Sequence, residues 1–143
     1  KEFKKTAGNT KVKAILGVGD LETLRNVAKA SLVCMMAGAD FIKTSTGKEN
    51  VNANLNNSLV MLRMIRDFYN KTGKKIGFKP AGGISTSKSV LEFLILVAEE
   101  LGFEWINPKL LRIGASSLLI DIERQLYHYT SGRYANKEKL ALG

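Results

Sequence analysis

Residues 40–48 read DFIKTSTGK, a stretch typical of a short strand that leads directly into a glycine-containing loop. The strand comprises Asp40–Thr44, and Gly47 lies in the loop. Similar short apolar segments occur at Val12–Leu16, Lys75–Lys79 and Leu110–Ile113. The second, third and fourth strands along the chain begin at residues 40, 75 and 110, so this part of the chain repeats with a period of 35 residues.

Helical patterns fill the gaps between the strands, because apolar residues recur there at spacings of three and four. The first helix is expected to start at an Asp20 cap and to end before Gly38. The other expected boundaries are Gly73 after the second helix, Ser85 or Thr86 and Gly102 around the third, and Ser117 to about Tyr129 for the last. The order βαβαβαβα predicts an α/β fold with helices packed over a parallel sheet.

The period also matches one unit of a (β/α)₈ barrel, but a complete barrel takes roughly 250 residues and this chain has 143. The pattern therefore allows two architectures, half of a barrel or a small open α/β sheet. In both, ligands bind beyond the C-terminal ends of the strands, so candidate functional residues are expected at those ends.

Composition limits the class of protein and the compartment. With 45% hydrophobic residues the chain is expected to be globular, and no apolar run reaches the ~18 residues of a membrane span. The single cysteine, Cys34, excludes an intrachain disulfide, favours a reducing cytoplasm and is expected to pack in the core. The net charge of +9 predicts anionic partners, and by itself it favours phosphorylated metabolites and nucleic acid equally.

Lys43 and Lys79 occupy corresponding places near the ends of two successive strands. Consecutive parallel strands usually neighbour each other at roughly 4.8 Å, so the two ammonium groups are expected to approach closely. Like charge and partial burial both disfavour the charged form of a lysine. One lysine is therefore expected to be partly neutral near pH 7, as an amine nucleophile for a carbonyl requires. A single lysine near a strand end is most often an ordinary surface residue, but a pair on successive strands favours the functional interpretation.

Glycines and serines after the strands form a candidate phosphate site. The residues concerned are Gly47, Gly82, Gly83, Gly114, Ser116 and Ser117. Glycine lets backbone N–H groups approach a phosphate closely, and helix N-termini favour anions. Each glycine alone is more typical of a tight turn, so the combination in neighbouring loops carries the interpretation. With one histidine, His128, neither a histidine-based metal site nor a histidine triad can be built.

Three ordered motifs resemble the deoxyribose-phosphate aldolase family of class I aldolases. They are FIKTSTGK at residues 41–48, GFKPAGG at 77–83 and RIGASSL at 112–118. Residues 24–40 and 118–134 also look like this family, so the resemblance covers nearly all of residues 11–134. It implies a (β/α)₈ TIM barrel, of which residues 1–143 would be the C-terminal half, strands five to eight. Residues 1–10 would end a preceding helix or loop, and residues 135–143 would form a tail.

The resemblance also implies an activity, the reversible cleavage of 2-deoxy-D-ribose 5-phosphate to D-glyceraldehyde 3-phosphate and acetaldehyde, without metal or organic cofactor. By position, Lys43 forms the Schiff base and Lys79 is the second lysine that favours its neutral form. The phosphate-binding positions correspond to Gly47, Lys48, Gly82, Gly83, Gly114, Ser116 and Ser117. Ser85 departs from the family, because many members carry arginine there. The family's proton-relay aspartate lies on an earlier strand, so no residue of this chain is assigned that role.

Half a barrel would have two unpaired sheet edges and an uncovered inner face. We therefore expect this chain to be a fragment of a longer protein, or to complete its barrel with the missing N-terminal half or another copy, as a homo-oligomer. The expected ligand is a small phosphorylated sugar, and neither nucleic acid nor a membrane is expected. Two alternatives stay open. One is a non-catalytic phosphate-ligand or protein-interaction module, and the other is a basic nucleic-acid-binding domain with steeply salt-dependent binding.

Overall fold

A parallel sheet forms the centre of the fold. The computed structural model describes residues 1–136 and residue 140, and its sheet contains β1 (Lys13–Ile15), β2 (Phe41–Lys43) and β3 (Gly77–Lys79). The strands are parallel and lie in the order β1-β2-β3. Each strand lies within a segment that the sequence predicts, so the parallel α/β arrangement is confirmed for these three units.

Helices alternate with the strands as predicted. The described helices are α1 (Glu2–Ala7), α2 (Leu24–Met36), α3 (Leu55–Thr72), α4 (Ser87–Leu101) and α5 (Leu118–Ser131), with a 3-10 turn at Phe103–Trp105. The predicted ends at Gly38, Gly73 and Gly102 are confirmed, and Thr86 is the cap of α4. None of the described helices is both long and apolar enough to cross a membrane.

The sequence predicts Asp20 as the N-cap of the helix that follows the first strand, which is α2, and this prediction is wrong. Helix α2 begins after Thr23, whose Oγ1 accepts a hydrogen bond from the Asn26 N–H at 3.2 Å. Asp20 instead lies in a turn, where its N–H donates to the Gly17 carbonyl at 3.0 Å. Residues 18–21 form a turn, so the helix starts about one turn later than the apolar spacing suggests.

The fourth predicted strand, Leu110–Ile113, is not a regular strand. The segment still runs parallel to β3, and the Phe78 N–H donates to the Leu110 carbonyl at 2.8 Å while the Gly114 N–H donates to the Pro80 carbonyl at 2.8 Å. The ladder is interrupted between these bonds because Pro80 has no N–H to donate. Only isolated bridges therefore form where the sequence predicts a continuous strand.

The hydrophobic core lies between the sheet and the helices. Ile42 and Phe78, at the centres of β2 and β3, are fully buried in the same cluster as apolar residues of α2, α3 and α4. Helix α2 packs on α3, and α3 packs on α4. Because strand side chains alternate, the residues flanking Ile42 and Phe78 lie on the opposite face of the sheet. Cys34 packs against the edge of the core as predicted, where burial raises the pKa of its thiol.

Trp105 anchors the connection between α4 and the segment beside β3. Its side chain is buried, its Nε1–H donates to the Ile76 carbonyl at 3.0 Å, and its ring meets Tyr69 edge-on at 5.2 Å. We expect Trp105→Ala to lower the free energy of unfolding by about 3–5 kcal/mol, because a large cavity replaces the indole. Chemical denaturation followed by circular dichroism measures this loss. Phe103→Ala is the matched control, since Phe103 is 83% exposed, and an equal loss there would contradict the prediction.

Asp40 fastens α1 to the start of β2. Its carboxylate accepts hydrogen bonds from Lys4 Nζ at 2.8 Å and from the Val12 N–H at 2.9 Å, and Lys11 Nζ lies 3.7 Å away. Burial raises the pKa of the Asp40 carboxyl, but the bonds from Lys4 and Val12 outweigh it and leave the pKa below the ordinary value. The folded state therefore favours the charged form.

This shift predicts an acid-dependent loss of stability. Since the pKa of Asp40 is lower in the folded state, its contribution is complete above the unfolded pKa of about 3.9 and disappears as pH falls through the folded pKa. At pH 7 we expect Asp40→Asn to cost about 1–3 kcal/mol, and the difference from the unsubstituted chain should shrink below about pH 4. Urea titrations at several pH values test this. A difference that is constant with pH, or equal to that of the exposed Asp67→Asn, would refute it.

Candidate active site

Lys43 and Lys79 end two neighbouring strands and lie side by side. They are register partners in the parallel pairing of β2 with β3, as the sequence predicts. Both side chains are half-buried and lie on the sheet face opposite Ile42 and Phe78. In the described part of the chain, neither lysine forms an ion pair with a carboxylate. The two lysines are therefore neighbours on one sheet face, and no described carboxylate neutralises either of them.

Two further cations on this face, Lys13 and Arg112, were not selected as site residues from the sequence. Burial first, and then the charges of Lys79, Arg112 and Lys43, lower the pKa of Lys13. Lys13 Nζ lies 5.8 Å and Arg112 Cζ 5.1 Å from the centre of the Phe41 ring. Lys13 is the register partner of Phe41, which lies on the same face as Lys43, and this register cannot be read from the sequence.

Thr44 and Ser45 join the loops that follow β2 and β3. The Thr44 hydroxyl accepts a hydrogen bond from the Ala81 N–H at 2.9 Å and donates to the Ala81 carbonyl at 3.0 Å. Ser45 Oγ donates to the same carbonyl at 2.6 Å. Both side chains are buried, so these bonds fix the spacing of the two loops. This function of Thr44 and Ser45 could not be predicted from the sequence, because it depends on a partner 36–37 residues away.

A cavity of about 580 Å³ opens beyond the C-terminal ends of the strands. Its walls contain all the predicted phosphate-binding residues together with Lys43, namely Lys43, Gly47, Lys48, Gly82, Gly83, Gly114, Ser116 and Ser117. Five other residues complete the wall and were not predicted: Thr46, Ala81, Ile84, Ser85 and Ala115. Lys79 is not a wall residue. Its Cε lies close to Gly114, which is a wall residue.

Two of the glycines are required by close contacts. Gly82 has φ of +92°, and a Cβ there would collide with the Asn52 side chain. At Gly114 a Cβ would lie 2.5 Å from the Ala81 Cβ and 3.0 Å from Lys79 Cε. A side chain at either position would displace the loop or the lysine beside the cavity. The close approach of backbone to the cavity therefore depends on glycine.

The cavity is suited to an anion. Its described wall contains two lysines and no acidic residue, and α4 and α5 both begin next to it. Helix N-termini present free N–H groups and a partial positive charge. Glu49 lies outside the wall and orders the loop after β2, accepting from the Thr46 N–H at 2.9 Å and the Thr46 hydroxyl at 3.2 Å. Among the residues that the structure describes, no cluster of His, Cys, Asp and Glu could hold a metal ion.

Comparison with known proteins decides the family. A model of the DeoC/LacD family of aldolases matches residues 1–119, which is most of the chain. The chain belongs to the DeoC/LacD aldolase family. Similar curated proteins are the deoxyribose-phosphate aldolases of Mus musculus and Homo sapiens, which are 64% and 62% identical over 134 and 135 residues. Each alignment covers 94% of this chain and 42% of the relative. The DeoC/LacD chain thus spans less than half the length of these relatives.

Solved structures agree with the fold of this DeoC/LacD chain. A crystal structure from Toxoplasma gondii ME49 superposes with a TM-score of 0.77 at 23% identity, covering 92% of this chain and 50% of the other. QR15, an aldolase, gives a TM-score of 0.60 at 27% identity over 90% of this chain and 49% of its own. The chain therefore has the α/β architecture of aldolases, and it matches about half of each of these structures.

Proposed function

We propose that this chain supplies the Schiff-base half of a 2-deoxyribose-5-phosphate aldolase. The observation that carries the proposal is the registered pair Lys43 and Lys79, which lies beside a cavity lined by lysine, glycine and serine. The names of the mouse and human relatives support the same reaction and substrate. The site residues proposed from the sequence are retained: Lys43 and Lys79 for catalysis, and Gly47, Lys48, Gly82, Gly83, Gly114, Ser116 and Ser117 for the phosphate.

The proposed reaction uses Lys43 as the nucleophile. Its neutral amine adds to the C1 aldehyde of open-chain deoxyribose 5-phosphate, and uptake of a proton with loss of water forms a protonated imine, which can accept an electron pair. The C3 hydroxyl then loses its proton, the C2–C3 bond breaks, and D-glyceraldehyde 3-phosphate leaves. The electron pair of that bond forms an enamine on C1 and C2. Protonation at C2 and hydrolysis of the imine release acetaldehyde and restore the Lys43 amine, so the step needs no oxidant or reductant.

Lys79 and the loops support this reaction by charge and position. A positive charge on Lys79 opposes a second positive charge on its register partner Lys43, which favours the neutral nucleophile. The phosphate is placed against the glycine and serine loops, where backbone N–H groups and two helix N-termini attract an anion. Because phosphate and carbonyl are held at separate parts of one cavity, the reacting carbons are oriented relative to Lys43.

We also propose that the chain is the C-terminal half of a (β/α)₈ barrel, strands five to eight. Helices cover one face of the sheet, whereas the other face carries four cations with no described acidic partner. The missing N-terminal half or another copy of the chain would close the barrel, and a homo-oligomer remains the proposed assembly. A reducing cytoplasm is the proposed compartment, because the chain has a single cysteine.

Trapping with borohydride tests the proposal. The chain alone is incubated with deoxyribose 5-phosphate and borohydride, in parallel with a chimera in which it replaces the matching segment of the mouse relative. The mouse relative itself is the positive control. Peptide mass spectrometry locates any reduced adduct, and acetaldehyde release measures turnover.

Each outcome has a distinct meaning. An adduct on Lys43 in the chain alone shows that these residues suffice for imine formation. An adduct in the chimera alone shows that the other half of the barrel is needed. A folded chimera that forms no adduct while the mouse control does would overturn the aldolase proposal and favour a non-catalytic phosphate-ligand or interaction module.

A further inference from the structure

Asp121 joins the two helices that begin beside the cavity. It lies in the first turn of α5, and its Oδ2 accepts two hydrogen bonds from Ser87, the first residue of α4. The Ser87 N–H donates at 2.7 Å and the Ser87 hydroxyl donates at 2.6 Å. Both bonds are charge-assisted, which makes them roughly twice as strong as neutral ones.

The bonds are more than a local helix cap. Helix α4 already has its own capping box, in which Thr86 Oγ1 accepts from the Ser89 N–H at 3.2 Å while Ser89 Oγ accepts from the Thr86 N–H at 3.4 Å. Asp121 is 34 residues from Ser87 and belongs to another helix. The carboxylate therefore connects two helices, and it holds the start of α4 to the start of α5.

The Asp121–Ser87 contact connects the two loops that would surround the phosphate. One loop contains Gly82 and Gly83 and leads into α4, and the other contains Ser116 and Ser117 and leads into α5. Asp121 and Ser87 are outside the described cavity wall. They can therefore set the spacing of the two loops without touching the ligand.

We propose that Asp121 is a positioning residue for the substrate phosphate, acting through Ser87 on the distance between the Gly82–Gly83 loop and the Ser116–Ser117 loop. This inference rests on the proposed function, since it assumes that the phosphate binds between these loops. The bonds from Ser87 are the main cause of a lowered pKa of the Asp121 carboxyl, so Asp121 accepts these bonds as a charged carboxylate at neutral pH. An amide at this position keeps one acceptor oxygen in the same place, and a methyl group does not.

Phosphate binding by the 143-residue chain tests the inference directly. Isothermal titration with inorganic phosphate is carried out on the unsubstituted chain, Asp121→Ala, Asp121→Asn, Ser87→Ala and the double variant of Asp121→Ala with Ser87→Ala. We expect Asp121→Ala and Ser87→Ala each to weaken phosphate binding by about tenfold, and the double variant to be no weaker than either. Asp121→Asn should stay within about threefold of the unsubstituted chain. Asp67→Ala, an exposed aspartate on α3, is the control and should leave binding unchanged.

A kinetic readout separates positioning from a general structural effect. In the chimera, Asp121→Ala should raise KM for deoxyribose 5-phosphate about tenfold and leave kcat and the KM for unphosphorylated deoxyribose nearly unchanged. Circular dichroism verifies folding, and Asp121→Asn and Ser87→Ala keep the test valid if Asp121→Ala does not fold. Equal phosphate affinities in all variants, or additive losses in the double variant, would overturn the proposal that Asp121 positions the two loops through Ser87. An unsubstituted chain and chimera that bind no phosphate would count against the proposed function itself.

Discussion

Replacing Lys43 by alanine is expected to abolish the borohydride adduct and to lower kcat for cleavage of deoxyribose 5-phosphate by at least about 10³-fold. The physical reason is that no other described amine lies in the same position. Lys79 does not line the cavity, and Lys48 is exposed in a loop. Without the imine, the C2–C3 bond would have to break directly to an enolate of much higher energy. The measurement uses the chain or the chimera, whichever forms the adduct.

Lys48→Ala is the control for the loss of a positive charge in the same cavity. Because Lys48 lies in the loop after β2 and lines the cavity in which the phosphate is proposed to bind, we expect its removal to raise KM and to leave the adduct intact. An adduct that persists in Lys43→Ala, or that maps to another lysine, would show that Lys43 is not the nucleophile. Loss of the adduct in both variants would point to phosphate binding as the step that the substitutions share.

Replacing Lys79 by methionine is expected to lower kcat by about 10²-fold while the adduct on Lys43 still forms slowly. Methionine has a similar length and no charge, so the space beside Gly114 stays filled. The substitution removes the second charge that the proposal assigns to the lysine pair, so we expect the imine at Lys43 to form more slowly. Pre-steady-state trapping measures the rate of imine formation separately from turnover.

Lys74→Met, an exposed lysine five residues earlier in the chain, is the matched control and should leave kcat unchanged. Lys79→Arg keeps the charge in a bulkier group, and we expect it to recover part of the trapping rate. A Lys79→Met variant with normal rates of trapping and turnover would refute the functional pairing. If only KM changed, Lys79 would act on substrate binding and not on the nucleophile.

The elements of this fold were readable from the sequence because their signals are local. Apolar residues at spacings of three and four predicted four helices, and Gly38, Gly73 and Gly102 predicted three helix ends, all within a few residues of the structure. The fourth strand was predicted from its apolar residues alone. Its ladder is broken because Pro80, on the neighbouring strand segment, cannot donate a hydrogen bond, and that partner is not visible in the segment itself.

The candidate site was readable in part for a similar reason. Residues that follow strands gather at one edge of a parallel sheet, so the lysine pair and the phosphate loops were predicted to meet, and the structure brings Lys43 and those loops around one cavity. Lys13 and Arg112 were missed because their place on the same sheet face as Lys43 depends on strand register. Thr46 and Ile84 were missed as wall residues because nothing in their own sequence marks them, whereas Ser85 was marked only as a departure from the family.

The sequence by itself determined the order of strands and helices, the two lysines at strand ends and the glycines that allow the backbone close to the cavity. These properties follow from side-chain periodicity and from the conformational freedom of glycine, which act over a few residues. Only the tertiary structure decided that Thr44 forms a hydrogen bond with Ala81 and that Asp121 forms one with Ser87, 34 residues away. It also decided that four cations share one face of the sheet. Such contacts depend on strand register and helix packing, because these bring together groups that are distant along the chain.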